Sequence, residues 1–296
     1  MSISEVRFAA LPPVRPEFIN EHVKSGDVGE VARPLSFWEQ IANITPLRRT
    51  LVLIAIAVAW QAYAMPLNDP LMLPTFSATA EAFWKATVSG ELLIRTWYSV
   101  KVLIVGYAAG VGVAAVMTGF AVSTRIGNDV LATLTAMFNP LPAIAILPLA
   151  LLWFGLGMPS LVFVLIHAVL WPLALATQSG FLAVSDALRM TGRNCGLRGW
   201  RYVLRILVPA AFPSILTGLK VSWAFAWRTL IAAELVFGVN SGSGGLGWFI
   251  FKNGNELETA YVFAGLSAII LIGLGVENLI FRTIEVHTVR KWGMQK

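Results

Sequence analysis

Apolar residues in this chain do not mark one face of each helix. They come in unbroken stretches separated by short polar segments. Six stretches are long enough to cross roughly 30 Å of hydrocarbon as helices: residues 50–65, 97–122, 131–154, 160–184, 212–237 and 261–284. The first is the shortest and rests on the run from Leu51 to Ala59. The third carries Pro140, Pro142 and Pro148, which predicts a kinked span or an amphipathic start before Pro140. On the second, Gly106 and Gly110 form a small-xxx-small pair, the spacing that lets two helices approach closely. The pattern predicts an all-α integral membrane protein with six transmembrane helices.

Composition agrees. Of 296 residues, 57% are hydrophobic and 13% charged, and the mean hydropathy is +0.72. The net charge of +6 could serve nucleic acid or anionic lipid, but most cations flank apolar spans and read as topology signals, so no nucleic-acid partner is expected. With the N-terminus inside, the inner segments hold Arg48, Arg49, Arg125, Arg282, Arg290, Lys291 and Lys296, besides an arginine cluster between spans four and five. The outer segments, residues 66–96, 155–159 and 238–260, hold only Lys85, Arg95 and Lys252. This asymmetry predicts both termini in the cytoplasm. Residues 1–46 read as a cytoplasmic arm: the first forty are polar, carry Pro12, Pro13, Pro16 and Pro34, and lack the apolar centre of a secretory leader. Within the arm, residues 36–44, with Phe37 and Trp38, suit a short interfacial helix. Residues 47–292 form the transmembrane domain and 293–296 a tail. Cys195 is the lone cysteine, which excludes a disulfide framework or a thiolate metal cluster within the chain.

The segment at about 186–209 is the one a bilayer would reject. Arg189, Arg193, Arg198, Arg201 and Arg205 are interleaved with Gly192, Gly196 and Gly199. Its residues predict a short helix, a turn and a second short helix along the membrane surface, able to pass a push from a cytoplasmic partner into the flanking spans. Pro209 would break a regular helix, whereas Pro213 suits the first turn of the next span. Taken by itself, an ordinary cytoplasmic loop binding lipid phosphates fits equally.

Ionisable residues inside a span are costly and mark candidate functional positions. On the fifth span Lys220, Trp223, Trp227 and Glu234 fall near one helical face and form a candidate lining for a central pathway. Arg228 lies about 100° from Trp227 and cannot pair with Glu234 on its own helix. Two roles fit it: recognition of a passing carboxylate or sulfonate, or a structural ion pair with a neighbouring subunit. Lys220 reads as a snorkelling side chain, His167 as a packing or hydrogen-bonding residue, and Glu277 and Asn278 as helix–helix contacts. The run from Gly242 through Gly244 and Gly245 to Gly247 matches G-x-G-x-x-G, but an apolar span precedes it and no βαβ unit follows, so dinucleotide binding is not expected. As an outer turn, Gly244, Gly245 and Gly247 suit an external gate. There is no G-x-x-x-x-G-K-[ST], no H-E-x-x-H and no other metal-ligand spacing, so neither ATP hydrolysis nor metal binding is expected of this chain.

In the basic segment Gly196, Ile206, Val208 and Pro209 match, at the same spacing, the Glu-Ala-Ala, Gly, Ile-x-Leu-Pro motif of permease subunits in bacterial ATP-binding-cassette (ABC) importers. Met190, Thr191 and Gly192 stand where that motif has Glu-Ala-Ala. Leu73-Pro74, Gly90-Glu91-Leu92 with Ser99, the proline-rich run from Asn139 to Gly157, Ala226-Trp227, Ala232-Ala233-Glu234 and Gly245-Leu246-Gly247 resemble the nitrate/sulfonate/taurine/bicarbonate permease group over residues 47–292. The resemblance implies the type I importer permease fold in a bacterial inner membrane. It also implies a second permease copy, two ATPase subunits that bind ATP and Mg, and an external substrate-binding protein. ATPase docking would then fall on Thr191, Gly192, Arg193, Gly196, Leu197, Arg198, Trp200, Arg201 and Pro209. The implied function is ATP-driven import of a small anionic solute by alternating access, without an ATPase site or cofactor in this chain. The alternative is an ATP-independent secondary transporter or channel.

Overall fold

The structure, a computed structural model, describes residues 45–237 and 244–291. Most of the N-terminal arm with its expected interfacial helix, the tail and the Gly242 end of the glycine run lie outside them. By their contacts the residues fall into two units, one ending at Ala55 and one beginning at Ile56. Among the described residues the first unit contributes only the opening turns of one helix. All the other elements belong to the second.

Every regular element among the described residues is helical. In chain order they are α1 (Thr45–Leu67), α2 (Phe76–Val88), α3 (Glu91–Ser123), α4 (Arg125–Phe138), a 3-10 turn (Ala143–Ile146) leading into α5 (Leu147–Phe154), and α6 (Met158–Leu182). Then come α7 (Asp186–Asn194), α8 (Gly199–Tyr202), α9 (Val208–Phe237), α10 (Leu246–Asn255), α11 (Thr259–Gly275) and α12 (Arg282–Glu285). Five helical runs are long and apolar enough to span a bilayer: Leu47–Leu67, Glu91–Ser123, Met158–Leu182, Gly199–Val236 and Thr259–Arg290. α4 and the 3-10/α5 piece meet at 88° and are apolar enough only when taken together, as a broken span or a re-entrant loop.

The break follows from the prolines. The N–H of Asn139 closes α4 on Thr135 O and that of Leu141 makes one tight turn back to Phe138 O, 3.1 Å; Pro140 and Pro142 offer no donor, and the 3-10 turn then starts at Ala145 N–H to Pro142 O, 2.8 Å. The expected kink is therefore a full change of direction. The fifth span also differs from expectation, for it begins at Gly199 rather than at 212. A π-helical turn at Val203–Leu207 makes this possible: the N–H of Val208 reaches back to Val203 O, so the extra residue is absorbed just before Pro209. Pro209 falls in the first turn after that shift, where its missing N–H costs little. The second short helix expected along the surface is thus the start of the span itself.

Packing centres on α6, which lies between α3 and α9. Val164, Val169 and Ala174 on it are fully enclosed. A Cβ on Gly106 would stand 2.6 Å from Leu165 Cβ, and one on Gly110 2.7 Å from Val169 Cβ. The α3–α6 approach therefore requires glycine at both positions, as the small-xxx-small spacing predicts. Gly218 of α9 meets Ala176 of α6 in the same way, at 2.7 Å. The indole of Trp60 on α1 donates to Pro74 O, 3.0 Å, and packs against Phe263 of α11.

Two helices occupy segments whose composition suggested only outer loops. Thr75 caps α2 by accepting the Ala78 N–H, 3.2 Å. The other is α10, which opens directly after the glycine turn.

Candidate functional site

Four features carry the chemistry: the basic segment, the two faces of α9, the glycine turn and the cavity beside the α4–α5 bend.

In the basic segment Ser185 precedes α7, and Gly196 ends the turn with φ +76, a backbone conformation that disfavours a Cβ. The N–H of Leu197 returns to Gly192 O at 3.1 Å. Gly192 is buried, and a Cβ there would lie 2.9 Å from Ile206 and 3.0 Å from the Tyr202 ring. The residue standing in the alanine place of the family motif is thus the point where α7 rests on the foot of α9. The arginines divide. Arg189 turns inward, its guanidinium donating to Phe181 O (2.6 Å) and Val184 O (3.0 Å), and caps the open end of α6. Arg193, Arg198, Arg201 and Arg205 are exposed, and so are Thr191 and, at 72%, Trp200. Leu197 and Pro209 are half-buried. The segment offers a basic surface with one large aromatic, carried on a helix continuous with α9.

On α9 the expected common face exists, and it turns into the protomer. Trp227 is buried in the main core, and Trp223 packs edge-on against Tyr107 of α3, 5.2 Å between ring centroids. Lys220 pairs with Glu285 at 2.6 Å and lies 4.0 Å from Glu277. Glu277 is therefore an ion-pair neighbour as well as a helix–helix contact.

Glu234, only 2% exposed, ends this face. Both carboxylate oxygens lie 2.8 Å from the Ser99 hydroxyl of α3, and Oε2 accepts the Gly247 N–H at 2.9 Å. Ser99 Oγ in turn accepts the Leu246 N–H at 2.8 Å. A Cβ on Gly245 would fall 2.6 Å from Glu234 Cδ, and one on Gly247 2.6 Å from Glu234 Cβ and Ile231 O. The glycines of the turn are there because its backbone lies directly on a buried carboxylate. Arg95 donates to Gly244 O, 2.9 Å, and Lys252 pairs with Glu91, 3.2 Å. These bonds fasten α10 to α3 and α9. Sequence reasoning located Glu234 and the glycines separately and missed Ser99, whose only signal was its place in the family pattern.

Arg228 points the other way. It is exposed, its Nε donates to Ala224 O, its guanidinium lies 4.9 Å from the Phe225 ring centroid, and it forms no ion pair among the described residues. Glu234 is not its partner within the protomer. Phe225 belongs to the wall of a cavity of about 500 Å³ formed by the α4–α5 bend, α6 and α9. Among the described residues no His/Cys/Asp/Glu group could hold a metal ion.

A family model described as "binding-protein-dependent transport system inner membrane component" matches residues 106–286. A Methanocaldococcus jannaschii protein provisionally named an ABC transporter permease is 31% identical over 239 residues, 78% of this chain and 87% of that protein. The taurine transport system permease protein of Escherichia coli is 27% identical over 246 residues, 81% and 87% of the two chains. The nitrate import permease protein of Synechocystis is 26% identical over 259 residues, 83% and 90%.

Proposed function

Since the chain belongs to the family of inner membrane components of binding-protein-dependent transport systems, we propose that it is the membrane-spanning subunit of an ATP-driven importer for a small anionic solute. Members of this family work with ATPase and substrate-binding partners, and relatives carry names for taurine, aliphatic sulfonate and nitrate transport. For this chain we place both termini and the basic segment in the cytoplasm, in line with the charge asymmetry. Two permease copies, two ATPase subunits that hold ATP and Mg, and an external binding protein complete the assembly, in the bacterial inner membrane. This chain supplies no cofactor site and no catalytic residue.

The observation that carries the proposal is the continuity of the basic segment with α9. Trp200, Arg198 and Arg201 sit on or beside a helical run that extends from Gly199 to Val236, so force applied there by an ATPase reaches the middle of the membrane without crossing a flexible joint. Gly196 sets the turn, and Gly192 seats α7 on that run. The outer opening is governed by α10 and the Gly244, Gly245 and Gly247 turn, to which the binding protein delivers solute. Trp223, Trp227 and Glu234 hold α9 to its neighbours, and the solute follows the opposite face, which bears Arg228.

The test is reconstitution of the permease with its ATPase and binding protein in proteoliposomes. Uptake of taurine, methanesulfonate or nitrate is expected only with ATP inside the compartment that faces the ATPase. Uptake by the permease alone, driven by an ion gradient, would refute the proposal in favour of a secondary transporter.

A further inference from the structure

Away from the α4–α5 bend, a cavity of about 470 Å³ opens where α3 ends, α4 begins and α6 meets the basic segment. Arg125, Asn128 and Asp129 of α4, Gln178 of α6 and Arg189 of α7 give it polar walls. Part of that polarity is already engaged, for the Gln178 amide donates to Asn128 Oδ1 at 2.9 Å. The two guanidinium groups retain most of their capacity. Arg125 is exposed and forms no ion pair among the described residues. Arg189 gives its Nε–H to Val184 O and one Nη2–H to Phe181 O, which leaves three of the five N–H groups of a guanidinium without a partner among the described residues. Asp129 is the one carboxylate of the lining, so two cations face one anion.

This cavity adjoins an apolar one. Ser123 and Phe181 belong to the walls of both, and the second, of about 500 Å³, runs along α3, α6 and the foot of α9 past Ala115, Phe120, Leu173, Leu204 and Trp200. No charged residue lines it. The spans Glu91–Ser123 and Met158–Leu182 both end at the polar cavity, so the pair straddles the boundary between hydrocarbon and water. We propose that the two cavities together seat one anionic phospholipid, of the phosphatidylglycerol class. Its phosphodiester lies between Arg125 and Arg189, its glycerol hydroxyls donate to Asp129, and an acyl chain fills the apolar cavity. One phosphodiester balances the single excess cation, and a guanidinium pair suits its oxygens. Neither a free anion nor a protein arriving from the cytoplasm accounts for the apolar half; a lipid accounts for both halves. The bound lipid ties the start of α4 to α7, and so steadies the basic segment beneath the spans. The site goes beyond the importer reading and holds whatever the permease carries.

Trp200 reports on the site, since it lines the apolar cavity and is 72% exposed. The full chain is titrated in mixed micelles with lipids brominated on the acyl chain, and the Trp200 signal is the fluorescence difference between wild type and Trp200→Phe. Brominated phosphatidylglycerol should quench that signal saturably, and at a lower mole fraction than brominated phosphatidylcholine, whose headgroup carries no net charge. Arg125→Gln should raise the half-saturating fraction of phosphatidylglycerol about fivefold, the contribution of one basic residue beside an anionic headgroup, and leave that of phosphatidylcholine unchanged. Gly119→Leu, at a position of the apolar lining where a Cβ meets nothing within 4 Å, should remove the saturable component by filling the cavity. Equal half-saturation by the two lipids, or an unchanged value in Arg125→Gln, would overturn the proposal. So would inorganic phosphate that competes as well as unbrominated phosphatidylglycerol, which would make the arginines a free-anion site. Displacement of the lipid by added ATPase subunit would likewise overturn it and assign the arginines to a protein partner.

Discussion

Replacing Ser99 with alanine should release α10 from the two spans it rests on without unfolding the rest of the chain. The hydroxyl holds two partners at once: it donates to the Glu234 carboxylate at 2.8 Å and accepts the Leu246 N–H at 2.8 Å, and the residue is fully enclosed. Removing it leaves a buried N–H unpaired and takes one donor from a buried carboxylate. Each loss is worth about 1–3 kcal/mol, and because the two share a site they do not simply add, so we expect a local cost of about 2–4 kcal/mol. That is a ~30- to ~900-fold rise in the equilibrium for local opening, at about 1.36 kcal/mol per tenfold. The remaining ties, Gly247 to Glu234, Arg95 to Gly244 and Lys252 to Glu91, keep the open form a minority. Hydrogen exchange checks this directly: amides of Leu246–Asn255 should exchange faster by that factor, while those of Val164–Ala174 in the centre of α6 keep their rate. A change below about threefold at α10 would show that the hydroxyl does not hold it, and equal acceleration of α6 would show global rather than local loss.

Gly106→Ala should lower thermal stability by about 1–3 kcal/mol, since its Cβ meets Leu165 at 2.6 Å, whereas Gly112→Ala, with nothing within 4 Å, should be neutral or mildly stabilising; denaturation midpoints in detergent read both. Gly196→Val should strain a turn at φ +76 by about 1–2 kcal/mol. With insertion intact, ATP hydrolysed per solute carried should rise; unchanged stoichiometry would count against a docking role. Arg189→Ala should destabilise by about 1.5–3 kcal/mol through loss of the α6 cap. Arg193→Ala should leave the melting temperature unchanged and weaken co-purification of the ATPase; equal melting losses in both variants would contradict the division of the arginines.

The features legible in the sequence arise from local constraints. Long apolar runs have one solution in a bilayer, so five spans were legible, and Gly106–Gly110 marked a close helix approach. The third span was legible as bent because Pro140 and Pro142 both lack a donor, but the angle depends on what the next turn finds to bond. The fifth span starts earlier than expected because Pro209 reads as a breaker and Pro213 as a first-turn residue, which together put the expected start near 212. The register shift that accommodates Pro209 is a backbone event with no residue signature of its own. The Glu234 site was the least legible. Its partner Ser99 lies 135 positions away, and a serine in an apolar run has no pattern to distinguish it. Likewise nothing in five arginines near one another says that Arg189 turns inward while the others face out.

These placements change how the parts of α9 work together. At 1.5 Å per residue, the run from Trp200 to Phe225 is about 38 Å long, with its only irregularity at Val203–Leu207. One face of that rod is committed to Tyr107, the core around Trp227, and Glu234; the other carries Val221, Phe225 and Arg228. On the proposed docking, a push on the foot would move the inner face, and with it α10 through the Gly247 N–H bond to Glu234, at the same time as the face beside the bend. The glycine turn and the cavity beside the bend both rest on this one helix. On this geometry Glu234 acts as a pin of the rod, bonding α9 to Ser99 of α3 and to the Gly247 N–H of α10.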